Sequence, residues 1–350
     1  MSLRTTLRRS LAAAALTSAL VAAAAVAALP GSAGLGEDCA RIREQAEAAS
    51  VAVGVVVLDL ASGERCATRA GTIFRSASLY KLLVMAEAYE QIAAGALSPG
   101  DLLDLESRHY VDVPHTDPGE TVTVTVAGAI QAMIQWSDNP TAVALHELLT
   151  DAAVVGHARR LGMERTVLEP YYETTPADIA LFFERLYDGT IVSARASAEM
   201  HALLRGQRIR RLLPEGLPAG VPIAHKTGSL PSWEHDAGIV EAGGGDYVIV
   251  VLTWHGGDHP AAYALIRELS ALVYEGFADP QRKVESSRVP TTLVTPGPAP
   301  SPHPPAAAAA AEPTPTTRPG PAPATPTPRP APEPRPAETQ APAPEPSPGP

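Results

Sequence analysis

The chain has 350 residues, a formal net charge of −11 and only two cysteines. Residues 1–33 carry three arginines and no acid, and residues 281–350 carry six basic and five acidic groups, so the negative charge is concentrated in residues 34–280. An acidic domain of this kind argues against nucleic acid and against anionic membrane surfaces as partners.

The first 33 residues have the pattern of a secretory signal peptide. Three arginines precede a run of mostly Ala, Leu and Val at residues 11–29, and small residues at 31–33 offer a cleavage site. We therefore expect a secreted protein. An uncleaved membrane anchor is the alternative, because the apolar run is nearly long enough to span a bilayer. The pair Arg8 and Arg9 also hints at twin-arginine export rather than the general route.

The C-terminal part of the chain is rich in proline. From Pro290 onward it contains 23 of the 36 prolines, alternating with Ala, Thr, Ser and Glu. Such a composition predicts a disordered, polyproline-like tail at residues 284–350, which could associate with the cell wall or serve as a ligand for a partner domain. The remaining residues, 37–280, suit one domain, expected to be a monomer.

Within this domain, strands are predicted at both ends and helices in the middle. The predicted helices cover residues 38–49, 78–94, 122–135, 140–149, 151–161, 175–187, 193–205 and 260–275. The predicted strands cover residues 51–60, 221–227, 235–242 and 246–254, with a short strand through Cys66. This order predicts an α/β (α+β) fold, in which a mostly antiparallel sheet built from both chain ends packs against a helical half.

The two cysteines, Cys39 and Cys66, fall in the first predicted helix and an early strand. In an exported chain they can form one disulfide, but the sequence leaves two unpaired thiols open as an alternative.

A serine and a lysine lie three residues apart in the second predicted helix, at Ser78 and Lys81. They share a helix face, and the helix start favours developing negative charge near Ser78. A serine hydroxyl needs a base to become a nucleophile, and a lysine amine serves when burial lowers its pKa. The chain has only three lysines among its 27 basic residues, and the Ser78 helix is apolar nearly all round. We therefore expect Lys81 to be buried and functional.

Two further motifs follow along the chain. In the first, Ser137-Asp138-Asn139, Ser137 could relay a proton to a leaving group, and Asn139 could hold a substrate amide or only cap the helix starting at residue 140.

The second motif, Lys226-Thr227-Gly228, ends a predicted strand. Lys226 and the hydroxyls of Thr227 and Ser229 could bind a substrate carboxylate, and Gly228 would let substrate approach the backbone. The N–H groups of Ser229 and Ser78 could together form an oxyanion hole.

These three motifs, in this order, resemble those of the class A β-lactamases and the wider family of penicillin-interacting serine enzymes. The resemblance covers roughly residues 37–280. It implies a five-stranded sheet packed on a helical domain, no metal and no cofactor, and acylation of Ser78 by a β-lactam or a cell-wall acyl-peptide. It further implies Lys81 as base or proton relay, Ser137 as proton donor to the leaving group, and substrate contacts from Asn139, Lys226, Thr227 and Ser229.

One loop departs from this pattern. Class A enzymes use a Glu in a long loop to activate the water that frees the acyl-enzyme. Here Glu169 precedes Pro170, but only five residues separate it from the helix start at Thr175, and no matching Asn exists. Glu169 is the predicted deacylating base, with an ordinary loop carboxylate as the alternative and Glu173 as a weaker candidate.

Three functions therefore compete. The first is hydrolysis of the cyclic amide of β-lactams. The second is hydrolysis of D-Ala peptides or esters with little β-lactam turnover. The third is a binding module that stays acylated.

A Ser-His-Asp arrangement drawn from His225, His235 and Asp236 lacks a nucleophile-elbow pattern, and these groups lack a recognisable metal-ligand spacing. Tyr110 borders the cleft or is packing.

Overall fold

The computed structural model describes residues 35–111 and 121–280, apart from the side chain of Glu37. The predicted signal peptide at residues 1–33 and the predicted tail at residues 284–350 lie outside this part of the chain.

The strands of the main sheet lie near both ends of the domain sequence, and most of the helices lie between them. The strands are β1 (Ala52–Asp59), β2 (Arg65–Thr68), β3 (Phe74–Arg75), β4 (Leu102–Leu105), β5 (Val122–Thr125), β6 (Glu173–Thr174), β7 (Ile223–Leu230), β8 (Trp233–Ala242) and β9 (Gly245–Trp254). The helices are α1 (Leu35–Ala48), α2 (Lys81–Ala93), α3 (Val126–Gln135), α4 (Asn139–Leu149), α5 (Asp151–Leu161), α6 (Pro176–Tyr187), α7 (Ala194–Arg205) and α8 (His259–Phe277). Three short 3₁₀ helices cover Ala77–Tyr80, Ser107–His109 and Leu213–Gly216.

The main sheet joins the two ends of the domain. Its five strands run in the order β2-β1-β9-β8-β7, and every neighbouring pair is antiparallel. The pairing of β1 with β9 places Ala52 opposite Trp254, so an N-terminal strand lies next to a C-terminal one. The predicted fold class is confirmed.

Both faces of the sheet are covered. In β1, Val55 and Val57 pack into one apolar cluster with α1 and α8, whereas Val56 and Leu58 pack into a second cluster with the helical half. Alternate residues of a strand point to opposite faces, so a continuous run of apolar residues is what a strand buried on both sides requires. The sheet therefore separates two cores, and α2 lies in the second of them.

One predicted helix begins too early. Residues 122–125 form β5, which pairs with β4 in a two-stranded sheet, and α3 begins only at Val126. The sequence Val-Thr-Val-Thr alternates β-branched residues, which favour a strand. The Thr125 hydroxyl then accepts a hydrogen bond from the Gly128 N–H and caps the helix. The prediction of one helix over residues 122–135 is wrong in its first turn.

Cys39 and Cys66 form a disulfide, with their Cα atoms 5.4 Å apart. The bond connects α1 to β2, and this settles the alternative that the sequence left open. Among the described residues, no helix has both the length and the apolar character that crossing a membrane demands.

Candidate active site

Ser78 stands in the 3₁₀ helix that leads into α2, at the edge of a cleft of about 750 Å³. Its side chain is half-buried, and within the described residues its hydroxyl makes no hydrogen bond. Ala77, directly before it, has φ of +46°, a conformation that non-glycine residues rarely adopt. Strained backbone of this kind persists where its surroundings hold it, often at functional sites. The cleft is also lined by Asn139 and Ser229, which the sequence motifs singled out.

Lys81, at the first position of α2, is completely buried. Its Nζ donates to the Ser137 carbonyl at 2.7 Å and to the Asn139 Oδ1 at 2.7 Å, and it lies 3.4 Å from the Ser137 Oγ. Burial lowers the pKa of Lys81 to about 7, although the charge of Asp138 acts in the opposite direction. The amine is therefore unprotonated in a large fraction of molecules near neutral pH, as a general base requires.

Ser137 lies in the tight turn between α3 and α4, with φ of +57°. This turn directs the Ser137 hydroxyl to Lys226, whose Nζ donates to it at 2.9 Å. The Ser137 hydroxyl thus lies close to the amines of both Lys81 and Lys226, which are far apart in the sequence. We call Lys81, Ser137, Asn139 and Lys226 the lysine wall.

The helix cap at this turn differs from the prediction. Asp138, not Asn139, is the N-cap of α4, because its carboxylate accepts the Thr141 N–H at 2.9 Å. Asn139 is already the first residue of the helix. Its side-chain oxygen is therefore available to Lys81, and its NH₂ group is left as a hydrogen-bond donor beside the cleft.

Lys226 lies on β7, the edge strand of the main sheet, and is completely buried. Besides Ser137, its Nζ donates to the Thr227 carbonyl at 2.8 Å. Burial, and secondarily the positive charge of Lys81, lower the pKa of Lys226 well below its usual range. Thr227 is itself buried.

Gly228 and Ser229 continue β7 past Ser78. A methyl group on Gly228 would lie 3.1 Å from the Ala77 side chain and 3.2 Å from the Ser78 backbone nitrogen. Glycine is therefore needed at position 228 because the chain's own Ser78 segment packs closely against it. Ser229 lines the cleft, and its hydroxyl donates to the Glu234 carboxylate at 2.9 Å.

Glu234 and its partner Arg211 were missed by the sequence motifs. Arg211 Nη2 lies 3.3 Å from the Glu234 Oε1, and the Glu234 side chain is fully buried. Glu234 pairs with Ser229 in the β7–β8 hairpin. A short turn recognised directly after the Lys-Thr-Gly motif would therefore have indicated that Glu234 lies beside Ser229. Nothing in the sequence connects Arg211 to this place.

Residues 162–175, which we call the tyrosine loop, form the opposite side of the cleft. Val167 and Glu173 exchange two backbone hydrogen bonds, of 2.9 and 2.8 Å, and close a small hairpin. Glu169 lies at its tip, where it is exposed and does not line the cleft. Tyr171 and Tyr172 line the cleft instead. The structure thus does not place Glu169 among the described residues that line the cleft, although its charge is close enough to act on His146 and Tyr172.

Tyr172 is held firmly in this loop. Its carbonyl accepts the Ser76 N–H at 2.6 Å, its ring packs edge-on against Tyr80 with centroids 4.9 Å apart, and its hydroxyl lies 3.4 Å from His146 Nδ1. The weaker candidate, Glu173, belongs to β6 and pairs with Arg75 of β3. The loop is therefore anchored to the segment that precedes Ser78.

The residues of the Ser-His-Asp alternative do not meet Ser78. His225 and Asp236 are both fully buried and bond to each other at 2.8 Å, and Asp236 also accepts the Leu213 N–H. His235 Nε2 donates to the Arg75 carbonyl at 2.7 Å, and burial lowers the pKa of His235 to about 4. The hydrogen bonds of His225, His235 and Asp236 therefore hold separate segments of the fold together.

Tyr110 does not belong to the described residues that line the cleft, whereas its neighbour Val111 does.

Comparison with known proteins agrees with this geometry. Residues 39–277 match the model of the β-lactamase enzyme family. An ancestral class A β-lactamase is 27% identical over 69% of this chain and 100% of its own, with a TM-score of 0.63. A β-lactamase from Sphaerobacter thermophilus is 26% identical over 69% of this chain and 97% of its own, with a TM-score of 0.62.

A mutant of PBP-A, solved as an acyl-enzyme complex with penicillin G, shares the fold. It is 24% identical over 69% of this chain and 97% of its own, with a TM-score of 0.65. Among the curated proteins, none matches the chain in sequence. The family match extends over most of the described domain, and the chain belongs to the β-lactamase enzyme family as a serine hydrolase-type enzyme.

Proposed function

We propose that this protein is a secreted serine hydrolase that opens β-lactams by forming an acyl-enzyme on Ser78. The observation that carries the proposal is the lysine wall: the Ser137 hydroxyl is held between two buried lysine amines beside the cleft that Ser78 lines. An arrangement of this kind can take a proton from a nucleophile and return it to a leaving group.

In the proposed acylation, the unprotonated Lys81 amine takes the proton of the Ser78 hydroxyl while Oγ attacks the lactam carbonyl. The N–H groups of Ser78 and Ser229 would stabilise the oxyanion. When the carbon–nitrogen bond breaks, Ser137 gives its proton to the ring nitrogen and regains one from Lys81, whose Nζ is 3.4 Å away. The proton removed from Ser78 thus ends on the leaving nitrogen.

Substrate would be held from two sides. The Asn139 oxygen is engaged by Lys81, so its NH₂ group is the donor for the carbonyl of a substrate side-chain amide. The substrate carboxylate would lie near Lys226, Thr227 and Ser229 at the end of β7, where an amine and two hydroxyls are hydrogen-bond donors.

A second candidate function is supported by the tyrosine loop. Glu169 is exposed at the hairpin tip, so the described cleft offers it no direct role in activating water. An enzyme with an organised acylation wall and no loop carboxylate in the cleft would release its acyl group slowly. It would then act chiefly on D-Ala peptides or esters, or remain acylated by β-lactams.

We also propose that the protein acts outside the cytoplasm as a monomer. The signal-like sequence of residues 1–33 supports export, and so does the Cys39–Cys66 disulfide, because such bonds persist in oxidising compartments. The proline-rich residues 284–350 would serve as a spacer toward the cell wall.

The deciding experiment mixes the purified chain with a chromogenic cephalosporin and follows colour and intact mass together. Many turnovers per molecule support β-lactam hydrolysis, and a persistent adduct of one acyl group per chain supports the second candidate. Ser78→Ala should abolish both signals, whereas Ser62→Ala, in the turn after β1, should keep them. A Ser78→Ala protein that still gained an acyl group would overturn the assignment of the nucleophile.

A further inference from the structure

Three side chains from separate elements converge near the end of the main sheet. Glu234 belongs to β8, His255 directly follows β9, and His259 is the first residue of α8. One ligand atom of each lies within 4.8 Å of the others. His259 Nδ1 is 3.7 Å from the Glu234 Oε2, and the centroids of the two imidazole rings are 4.2 Å apart.

Two nitrogens of this cluster lack a hydrogen-bond partner in the described part of the chain. His255 is 6% exposed, and its Nε2 is buried without a partner, as is the His259 Nδ1. A buried polar atom without a partner costs free energy, and proteins rarely retain such atoms without a reason. Both imidazoles offer a ring nitrogen near the Glu234 carboxylate, and this donor set suits a cation better than it suits a hydrogen-bond network.

We propose that Glu234, His255 and His259 form a binding site for a zinc-class divalent cation. Two imidazoles and one carboxylate are ligands that Zn²⁺ accepts, whereas Ca²⁺ and Mg²⁺ prefer oxygen alone. Bonds of about 2.1 Å in a tetrahedral site hold neighbouring ligand atoms about 3.4 Å apart. The carboxylate oxygen and the His259 nitrogen, at 3.7 Å, already lie close to that spacing.

The surroundings of the cluster allow the cation to enter. The His259 side chain is 41% exposed and gives access from solvent. Arg211 contacts Oε1 of Glu234, so the other carboxylate oxygen is the one that faces the imidazoles. Glu234 Oε2 is therefore available to the cation, although the Arg211 guanidinium contacts Oε1.

Two contacts of the His255 ring must change on binding: the hydrogen bond that Nδ1 accepts and the interaction of the ring with the Trp233 backbone. The Gly257 N–H donates to His255 Nδ1 at 3.1 Å, so the neutral ring carries its proton on Nε2. A cation on Nε2 requires the other tautomer, and the Gly257 N–H must then turn away. Gly256 and Gly257 have φ of +58° and +109°, and no atom stands within 4 Å of a Cβ position at Gly257. Such an open glycine turn can make this adjustment.

The site is connected to the cleft through Glu234, whose partner Ser229 lines the cleft. The Ser229 hydroxyl donates to the same Oε2 that would bind the cation. An occupied site would therefore weaken this hydrogen bond and change the contact that Ser229 offers to a substrate carboxylate. This consequence, unlike the binding itself, rests on the proposed function.

The test titrates Zn²⁺ into the chelator-treated full chain by calorimetry, with Co²⁺ absorption as a readout of coordination geometry. We expect one equivalent to bind, and His255→Ala or His259→Ala to lower the affinity by more than about tenfold. His201→Ala is the matched control, because His201 lies 3.7 Å from Glu241, the same spacing as in the cluster, without a second imidazole. It should bind like the wild type.

Circular dichroism and melting temperature show whether each variant is folded, and Glu234→Gln provides a third variant with nearly the same shape. No binding of one equivalent, or equal binding by wild type and all three cluster variants, would overturn the site. Ser78→Ala should bind Zn²⁺ unchanged. If the wild type binds Zn²⁺ but does not react with the cephalosporin, the proposed function fails and the site stands.

Discussion

The lysine wall and the tyrosine loop face the same cleft, but their polar groups are held in different ways. Lys81 and Lys226 are fully buried, and both bond to the α3–α4 turn. In the tyrosine loop the backbone is firmly bonded, yet its one predicted catalytic carboxylate, Glu169, is exposed. The lysine wall is therefore buried and bonded, whereas Glu169 is exposed and does not belong to the described lining of the cleft.

If the proposed function holds, this difference means that the groups for acylation and for deacylation are organised independently. The acylation groups come from three elements that the fold brings together, so their geometry depends on packing in the core. The deacylation candidate Glu169 depends on a single short loop, which the pairing of Val167 with Glu173 closes into a hairpin. Variants on each side should therefore affect different steps of the reaction.

The largest effect is expected from Lys81. Lys81→Met should lower the rate of Ser78 acylation by about 10²–10⁴-fold, because it removes the general base. Lys81→Arg is the matched variant: it keeps the positive charge but cannot give up its proton, and it should be nearly as slow. The measurement is the rate of adduct formation by intact mass. If the Lys81→Arg variant were acylated rapidly, the positive charge at this position, and not its ability to accept a proton, would be what acylation requires.

Ser137 should come next. Ser137→Ala removes the hydroxyl between the two amines and should lower the acylation rate by about 10²-fold, because the leaving nitrogen loses its proton donor. A substrate with a leaving group that needs no proton, such as an activated ester, should be affected much less. Stopped-flow rates for both substrates make the comparison. Equal losses for amide and ester would contradict the relay.

The pH profile tests the same wall without a substitution. Since burial lowers the pKa of Lys81 to about 7, the unprotonated amine becomes scarcer as pH falls below that value. The acylation rate should decrease about tenfold for each pH unit well below 7 and level off above it. Second-order acylation rates from about pH 5 to about pH 9 measure this. A profile that rises only near the pKa of a free lysine would contradict a buried neutral base.

The smallest effect is expected on the other side of the cleft. Glu169→Gln should change the deacylation rate by less than about threefold, because Glu169 is exposed and does not belong to the described lining of the cleft. The decay of a preformed adduct, followed by mass, gives this rate. A loss of 100-fold or more would mean that the loop brings Glu169 into the cleft during the reaction, and the contrast between the two sides would disappear.

Several features of the site could be predicted from local sequence. The apolar helix after Ser78 required burial of Lys81, and the scarcity of lysine pointed to Lys226 as well. The cap at the α3–α4 turn was misassigned, because Asp138 and Asn139 both suit an N-cap and only the structure shows which one faces Lys81. The first turn of the predicted helix at residues 122–135 failed because strand pairing with β4 outweighed the helical pattern.

The sequence by itself determined the order of the motifs, the spacing of Ser78 and Lys81 on one helix face, and the short length of the tyrosine loop. These features are local, since each follows from residues a few positions apart. Only the tertiary structure placed Ser137 between two lysines, paired Cys39 with Cys66, left Glu169 exposed and brought Glu234 close to two histidines. Such contacts join distant parts of the chain, and they are set by how the sheet and the helices pack.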